Sequence, residues 1–136
     1  MKNSRHLLFI PLLFIFFAGC KTDQPTPTPE TAVLTGIVQI VYGDPALLQL
    51  GTPMPAASPE DYTARKLQIF NTDGSELLHE ISFSEDGTYR IELAPGTYIV
   101  NVAPFGLDTA LDLPTVIVMS KGLKRTLDII IDTGVR

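Results

Sequence analysis

Few side chains of a kind that could do chemistry occur after residue 20, and they are scattered. His79 is the only histidine beyond His6, and it lies in a stretch of alternating apolar residues. With Ser75, Ser82 or Ser84 it could be assembled into a hydrolase triad, but the Gly-x-Ser-x-Gly turn that exposes such a serine is absent. We therefore predict that His79 is a strand residue at or near the surface, and that the chain is not an enzyme.

The carboxylates favour structural roles in turns. Asp73 and Asp86 each precede a glycine, and Glu85 precedes Asp86, which is typical of turns in which a carboxylate accepts a hydrogen bond from a nearby amide. Asp108 and Asp112 could supply oxygen ligands to calcium, but an EF-hand loop is absent and two isolated carboxylates seldom suffice. Glycine-rich phosphate loops and Cys/His metal spacings are also missing. We expect no metal site and no cofactor.

The first 19 residues differ from the rest of the chain. A short basic start with Lys2 and Arg5 is followed by 12 uncharged, mostly apolar residues, 7–18. A membrane-spanning helix needs about 20 apolar residues, so this run has the length of the apolar core of a signal peptide instead. Residues 1–19 are predicted to be a signal peptide that is removed.

Cys20, the only cysteine of the chain, follows Phe17-Ala18-Gly19. These residues resemble the bacterial lipobox, with Phe17 in place of the usual Leu. The resemblance implies cleavage between Gly19 and Cys20 and attachment of diacylglycerol to the Cys20 thiol. An ordinary secretory signal with a chance cysteine is the alternative. Two or three acyl chains anchor a protein stably, so we expect the protein to be bound to a membrane. In a cell with two membranes this would be the outer membrane, and in a cell with one membrane it would be the outer face of the plasma membrane.

Residues 20–136 are acidic and begin with a proline-rich segment. They carry 8 basic and 15 acidic residues, a formal charge of −7, so nucleic acid is not an expected partner. In residues 20–31, Pro25, Pro27 and Pro29 alternate with other residues. Polyproline II geometry would give this tether a reach of roughly 30 Å.

The remaining residues, 32–136, are predicted to form one domain of strands, because apolar residues recur at every second position and turn residues separate the segments. Seven short strands in about 100 residues indicate an all-β, seven-stranded antiparallel β-sandwich. The alternation places Tyr89, Ile91, Tyr98, Val100 and Ile129 in the core. The predicted strands are Val33–Tyr42, Ala64–Phe70, Glu76–Phe83, Thr88–Leu93, Thr97–Ala103, Thr115–Met119 and Lys124–Ile131.

Several segments together resemble the carboxypeptidase regulatory-like, transthyretin-like domains, and especially small bacterial lipoproteins that end in Asp-Thr-Gly-Ile-Arg. The resemblance covers nearly all of residues 33–136 and implies a β-sandwich, but it is specific for fold rather than for function. It is carried by Thr35-Gly36-Ile37-Val38, Tyr62-Thr63-Ala64, Asp86-Gly87-Thr88-Tyr89-Arg90, Leu93-Ala94-Pro95-Gly96-Thr97-Tyr98 and Asp132-Thr133-Gly134-Val135-Arg136.

These observations predict a membrane-anchored lipoprotein that displays a non-enzymatic sandwich for envelope structure or protein interaction. The alternative is a glycan- or peptide-binding module that uses the loops at 43–63 and 105–114. A glycan site would draw on Tyr62 and Phe105, the aromatic candidates outside the strands, and a peptide could pair with an open sheet edge.

Overall fold

The computed structural model describes residues 30–44, 50–51, 53 and 55–134. Within these ranges the chain forms nine strands and one short helix, α1 (Pro59–Thr63). The strands are β1 (Ala32–Val41), β2 (Lys66–Phe70), β3 (Leu77–Ser82), β4 (Thr88–Leu93), β5 (Gly96–Val102), β6 (Thr109–Leu111), β7 (Thr115–Met119), β8 (Lys124–Thr126) and β9 (Ile129–Asp132).

Two sheets pack face to face, which confirms the predicted β-sandwich. In the first sheet the order is β4-β1-β9-β6, with β8 also pairing with β1, and in the second it is β3-β2-β5-β7. Most pairings are antiparallel, as expected, but β1 runs parallel to both β8 and β9. The first and last of the described strands, β1 and β9, therefore lie side by side in the middle of the first sheet.

Strand alternation places the core where the sequence predicts it. In β4, exposed and buried residues alternate strictly, and Tyr89 and Ile91 face inward. Tyr98, Val100 and Ile129 are buried as well, so all five predicted core residues are confirmed. Asp73 and Asp86 lie in turns, where each accepts hydrogen bonds from the residue two positions later.

The predicted strand Lys124–Ile131 is divided in two. Its pairing with β1 keeps one register on both sides of the break, but Leu127 and Asp128 leave the regular ladder. The Asp128 carboxylate accepts the backbone N–H of Ile37 at 2.9 Å, and the Tyr89 hydroxyl donates to the Leu127 carbonyl. Gly36 lies against the same carbonyl, so closely that a Cβ there would be 2.0 Å from its oxygen.

Two further elements differ from the prediction. The second strand begins at Lys66 rather than Ala64, because Ser58 caps a helix that ends only at Thr63. The Ser58 hydroxyl accepts the Asp61 N–H while the Asp61 carboxylate accepts the Ser58 N–H at 2.8 Å, which is a capping box. The loop predicted at 105–114 also contains β6, which pairs with β9.

The Asp-Thr-Gly segment ends the last strand. The Thr133 hydroxyl donates to the Val41 carbonyl at 3.0 Å, and the Asp132 carboxylate accepts the Gly134 N–H at 2.9 Å. Asp132 and Thr133 are both buried. As far as the structure describes it, this terminal motif serves to fasten the end of β9.

The predicted signal peptide, the cleavage site at Gly19 and Cys20, and the tether up to Pro29 lie outside the described residues. Within the described ranges, no helix has the length and apolar content needed to cross a membrane.

Candidate interaction surface

The residues considered for catalysis or metal binding do not come together. His79 is exposed on β3. Nowhere in the described ranges do three or more His, Cys, Asp or Glu side chains group in a way that could hold a metal ion. Asp108 is committed elsewhere: its carboxylate pairs with Arg65, at 2.5 Å from Nε and 3.2 Å from Nη2.

Arg65 is the centre of a polar cluster at one end of the sandwich. The Arg65 and Asp108 side chains are only 5% and 6% exposed. The guanidinium also donates to the Asp61 carbonyl at 2.7 Å, and Phe105 covers it with the ring centroid 4.6 Å away. A buried guanidinium needs such partners because an unpaired buried charge is very costly.

Tyr42 extends this cluster to β1. Its hydroxyl is hydrogen-bonded to the Asp61 carboxylate, and burial together with that carboxylate raises the pKa of Tyr42 to about 12. The same contact, with those from Ser58, holds the pKa of Asp61 below its ordinary value. The cluster thus fastens α1 and the loop at 103–108 to the body of the sandwich.

Arg65 links the described parts of the two loops predicted as a binding surface, because it contacts both Asp61 and Asp108. The Tyr62 ring packs on the core beside Gly87, where an added Cβ would be 2.8 Å from it. Phe105 is 44% exposed and borders an open cleft of about 280 Å³ next to Arg65. Because the Tyr62 ring packs against the core, Phe105 is the better placed of the two aromatic candidates to stack on a sugar.

A second surface, which the sequence analysis missed, lies on the outer face of the second sheet. Phe70, Ile99 and Val116 are direct cross-strand neighbours on β2, β5 and β7. Val116 and Val118 are 60% and 55% exposed, although they are purely apolar. These residues form a continuous apolar stripe, Phe70, Ile99, Val116 and Val118, which ends at the edge of the sheet.

That edge is β7, which among the described strands pairs on one side only, with β5. The Val118 carbonyl accepts a long 3.5 Å contact from Arg125 of β8, which lies outside the β5–β7 pair. This contact indicates that the carbonyl points away from β5. In an antiparallel strand the N–H and C=O of one residue point to the same side of the strand. The N–H and C=O of the residue two positions away point to that side as well. The backbone groups of Val116 and Val118 therefore face the open edge.

The other edge strands of the described sheets carry features that discourage pairing. Charged residues lie on β4 (Arg90 and Glu92) and on β8 (Lys124 and Arg125), and β6 has only three residues. The β3 strand carries Glu80, and its register with β2 shifts further along the strand. Charges, short length and bulges are the usual protections of sheet edges. The β7 segment, Thr-Val-Ile-Val-Met, has no charged residue. Among these strands, β7 is the edge that has no charged residue, short length or bulge of its own.

The sequence did contain a signal for this surface. Residues 116–119 are apolar without interruption, whereas a strand with one wet face should alternate. Such a run indicates either a strand buried on both faces or an exposed apolar patch, and only the strand order distinguishes the two.

Comparison with known proteins supports the fold. No family model matches the chain, and no curated protein matches it significantly. Among solved structures, the minor pilin GBS52 of Streptococcus agalactiae is similar with a TM-score of 0.51 at 16% identity, over 76% of this chain and 44% of that one. A DUF3823 family protein from Parabacteroides merdae has a TM-score of 0.45 at 15% identity, over 76% of this chain and 47% of that one.

This chain therefore spans less than half the length of either protein. At such identities the likeness to the minor pilin shows a shared β-sandwich and nothing of the activity or partners of this chain. The transthyretin-like resemblance is supported to the extent that it implies a sandwich.

Proposed function

We propose that this chain is a lipid-anchored protein of the cell envelope whose β-sandwich binds a protein partner rather than catalysing a reaction. The observation that carries the interaction role is the uncharged open edge of β7, continuous with the exposed apolar stripe. Exposed apolar patches rimmed by polar residues are typical of protein-binding surfaces. Strand addition to an open edge supplies main-chain hydrogen bonds, and side-chain contacts then give specificity.

Anchoring through Cys20 is the sequence-based part of the proposal. Its support is the lipobox-like segment and the short apolar run before it. The carboxylate of Glu30, the first described residue, pairs with Lys121 at 3.3 Å, close to where β7 ends. The tether therefore enters the domain near one end of the proposed binding edge.

Labelling with a palmitate analogue tests the anchor. Wild-type protein should take up the label and sediment with membranes, and Cys20→Ala should do neither. Label that persists on Cys20→Ala would contradict lipid attachment at this residue.

Photo-cross-linking in intact cells tests the interaction. A photoreactive amino acid is placed at Val118, and in a matched control at Glu92, which is exposed on a charged edge of the other sheet. We expect a discrete protein adduct from position 118 and none from position 92. Equal adducts from both positions, or none from either, would contradict a specific protein-binding edge.

A further inference from the structure

We propose that the partner of the β7 edge is a second copy of this chain, paired antiparallel through β7 about a two-fold axis. This inference rests on the proposed interaction role and names its partner. The second sheet of one copy would then join the second sheet of the other to form one sheet that runs through both molecules.

The backbone of β7 is suited to pair with itself. The polar groups of Val116 and Val118 face the open edge, with Ile117 between them. A two-fold axis at Ile117 places Val116 of each copy opposite Val118 of the other copy. Both opposed pairs are of the hydrogen-bonded type, in which each pair exchanges both of its N–H···O bonds. The valine side chains also pair on the outer face, so the apolar stripe continues across the interface.

The charges at the two ends of the strand are complementary under this symmetry. Asp112 precedes β7, and Arg125 of β8 reaches the other end of that strand, at the Val118 carbonyl. Within the described part of the chain, neither has an ion-pair partner, whereas Arg65, Lys66, Arg90 and Lys121 are all paired. Antiparallel pairing brings the acidic end of one strand to the basic end of the other, twice per dimer.

One contact opposes pairing, and it does so only weakly. Arg125 covers the Val118 carbonyl, but the contact is exposed and at the 3.5 Å limit for a hydrogen bond. On release, its guanidinium is free to turn toward Asp112 of the second copy. Confinement of both copies to one membrane raises their effective concentration, so a small interface can suffice.

Cysteine cross-linking in membranes of cells that make the full-length chain tests the register. Opposed Cα atoms in a hydrogen-bonded pair are about 5.5 Å apart, within the range that a disulfide spans. Oxidation of Val116→Cys/Val118→Cys should therefore give a covalent dimer. Either single variant should give little, because each cysteine is then offset along the strand from its copy. The matched control is Arg90→Cys/Glu92→Cys on β4, and wild-type protein measures any background from Cys20.

Charge exchange tests the ion pairs with the same cross-linking readout. Asp112→Lys and Arg125→Asp should each lower dimer yield in the double-cysteine background, by roughly two- to fivefold for each exposed ion pair. The double exchange, Asp112→Lys with Arg125→Asp, should restore the dimer yield. If the single exchanges acted by unfolding the domain, combining them would not restore it.

Dimer yield no higher than that of the β4 control, or efficient cross-linking of a single variant, would overturn the proposal. If Val118 then still forms a photo-adduct with a different protein, the interaction role stands and only the identity of the partner is wrong. If no adduct forms either, both fail.

Discussion

Removing Asp108 should destabilise the sandwich far more than removing an exposed partner of an ion pair. In Asp108→Ala the buried Arg65 guanidinium loses both of its contacts with the Asp108 carboxylate. Breaking a buried ion pair costs about 3–5 kcal/mol. Because Arg65 keeps the Asp61 carbonyl and the Phe105 ring, we expect the lower end, about 3 kcal/mol. For a domain of this size that corresponds to a fall in Tm on the order of 10–20 °C.

The assay is urea unfolding of the fragment Thr31–Arg136 followed by circular dichroism, and Glu80→Ala is the matched control. Glu80 pairs with Lys66 at 2.8 Å, but the Lys66 and Glu80 side chains are 49% and 32% exposed, so the loss of Glu80 should cost at most about 1 kcal/mol. The double variant Arg65→Met/Asp108→Leu removes both charges and should cost less than Asp108→Ala. Equal losses for Asp108→Ala and Glu80→Ala would refute the argument that burial makes this pair important.

The other predictions concern the core, a glycine and a tyrosine. Ile129→Ala should lose about 2–5 kcal/mol in urea unfolding, while Asp128→Ala should lose about 1 kcal/mol with the hydrogen bond of its carboxylate; equal losses would contradict the register. Gly36→Ala should lose at least about 3 kcal/mol or fail to fold, since its Cβ would meet a backbone oxygen, and wild-type stability would disprove that close approach. The pKa of Tyr42 rises to about 12 on folding, so stability present below pH 10 should decline as the pH rises from about 10 to 12, and Tyr42→Phe should reduce that decline; an unchanged pH profile would contradict burial of the phenol.

Local patterning accounts for what the sequence predicted correctly. The strict alternation of β4 fixes which side chains face inward, whatever strands lie beside it. The turns at Asp73 and Asp86 follow from the short reach of a carboxylate to its own backbone. The capping box at Ser58 and Asp61 was an equally local signal, and reading it would have placed α1 and moved the start of β2 to Lys66.

Long-range pairing accounts for what the sequence did not predict. Arg65 and Asp108 are 43 positions apart, and nothing in either segment indicates the other. The parallel pairing of β1 with β8 and β9 depends on strand order, which alternation does not encode. For the same reason the open edge was missed, because β7 is an edge only by its place beside β5.

Amide hydrogen exchange along β7 tests the central claim, an open edge that a partner fills, most directly. At low protein concentration we predict fast exchange at Val116 and Val118, whose N–H groups face the edge, and slow exchange at Ile117 and Met119, which face β5. At high concentration, or in the membrane-anchored state, the two valine amides should become slow as well. Protection of Val116 and Val118 equal to that of Ile117 at every dilution would show that the edge is covered within one molecule, and would contradict the account.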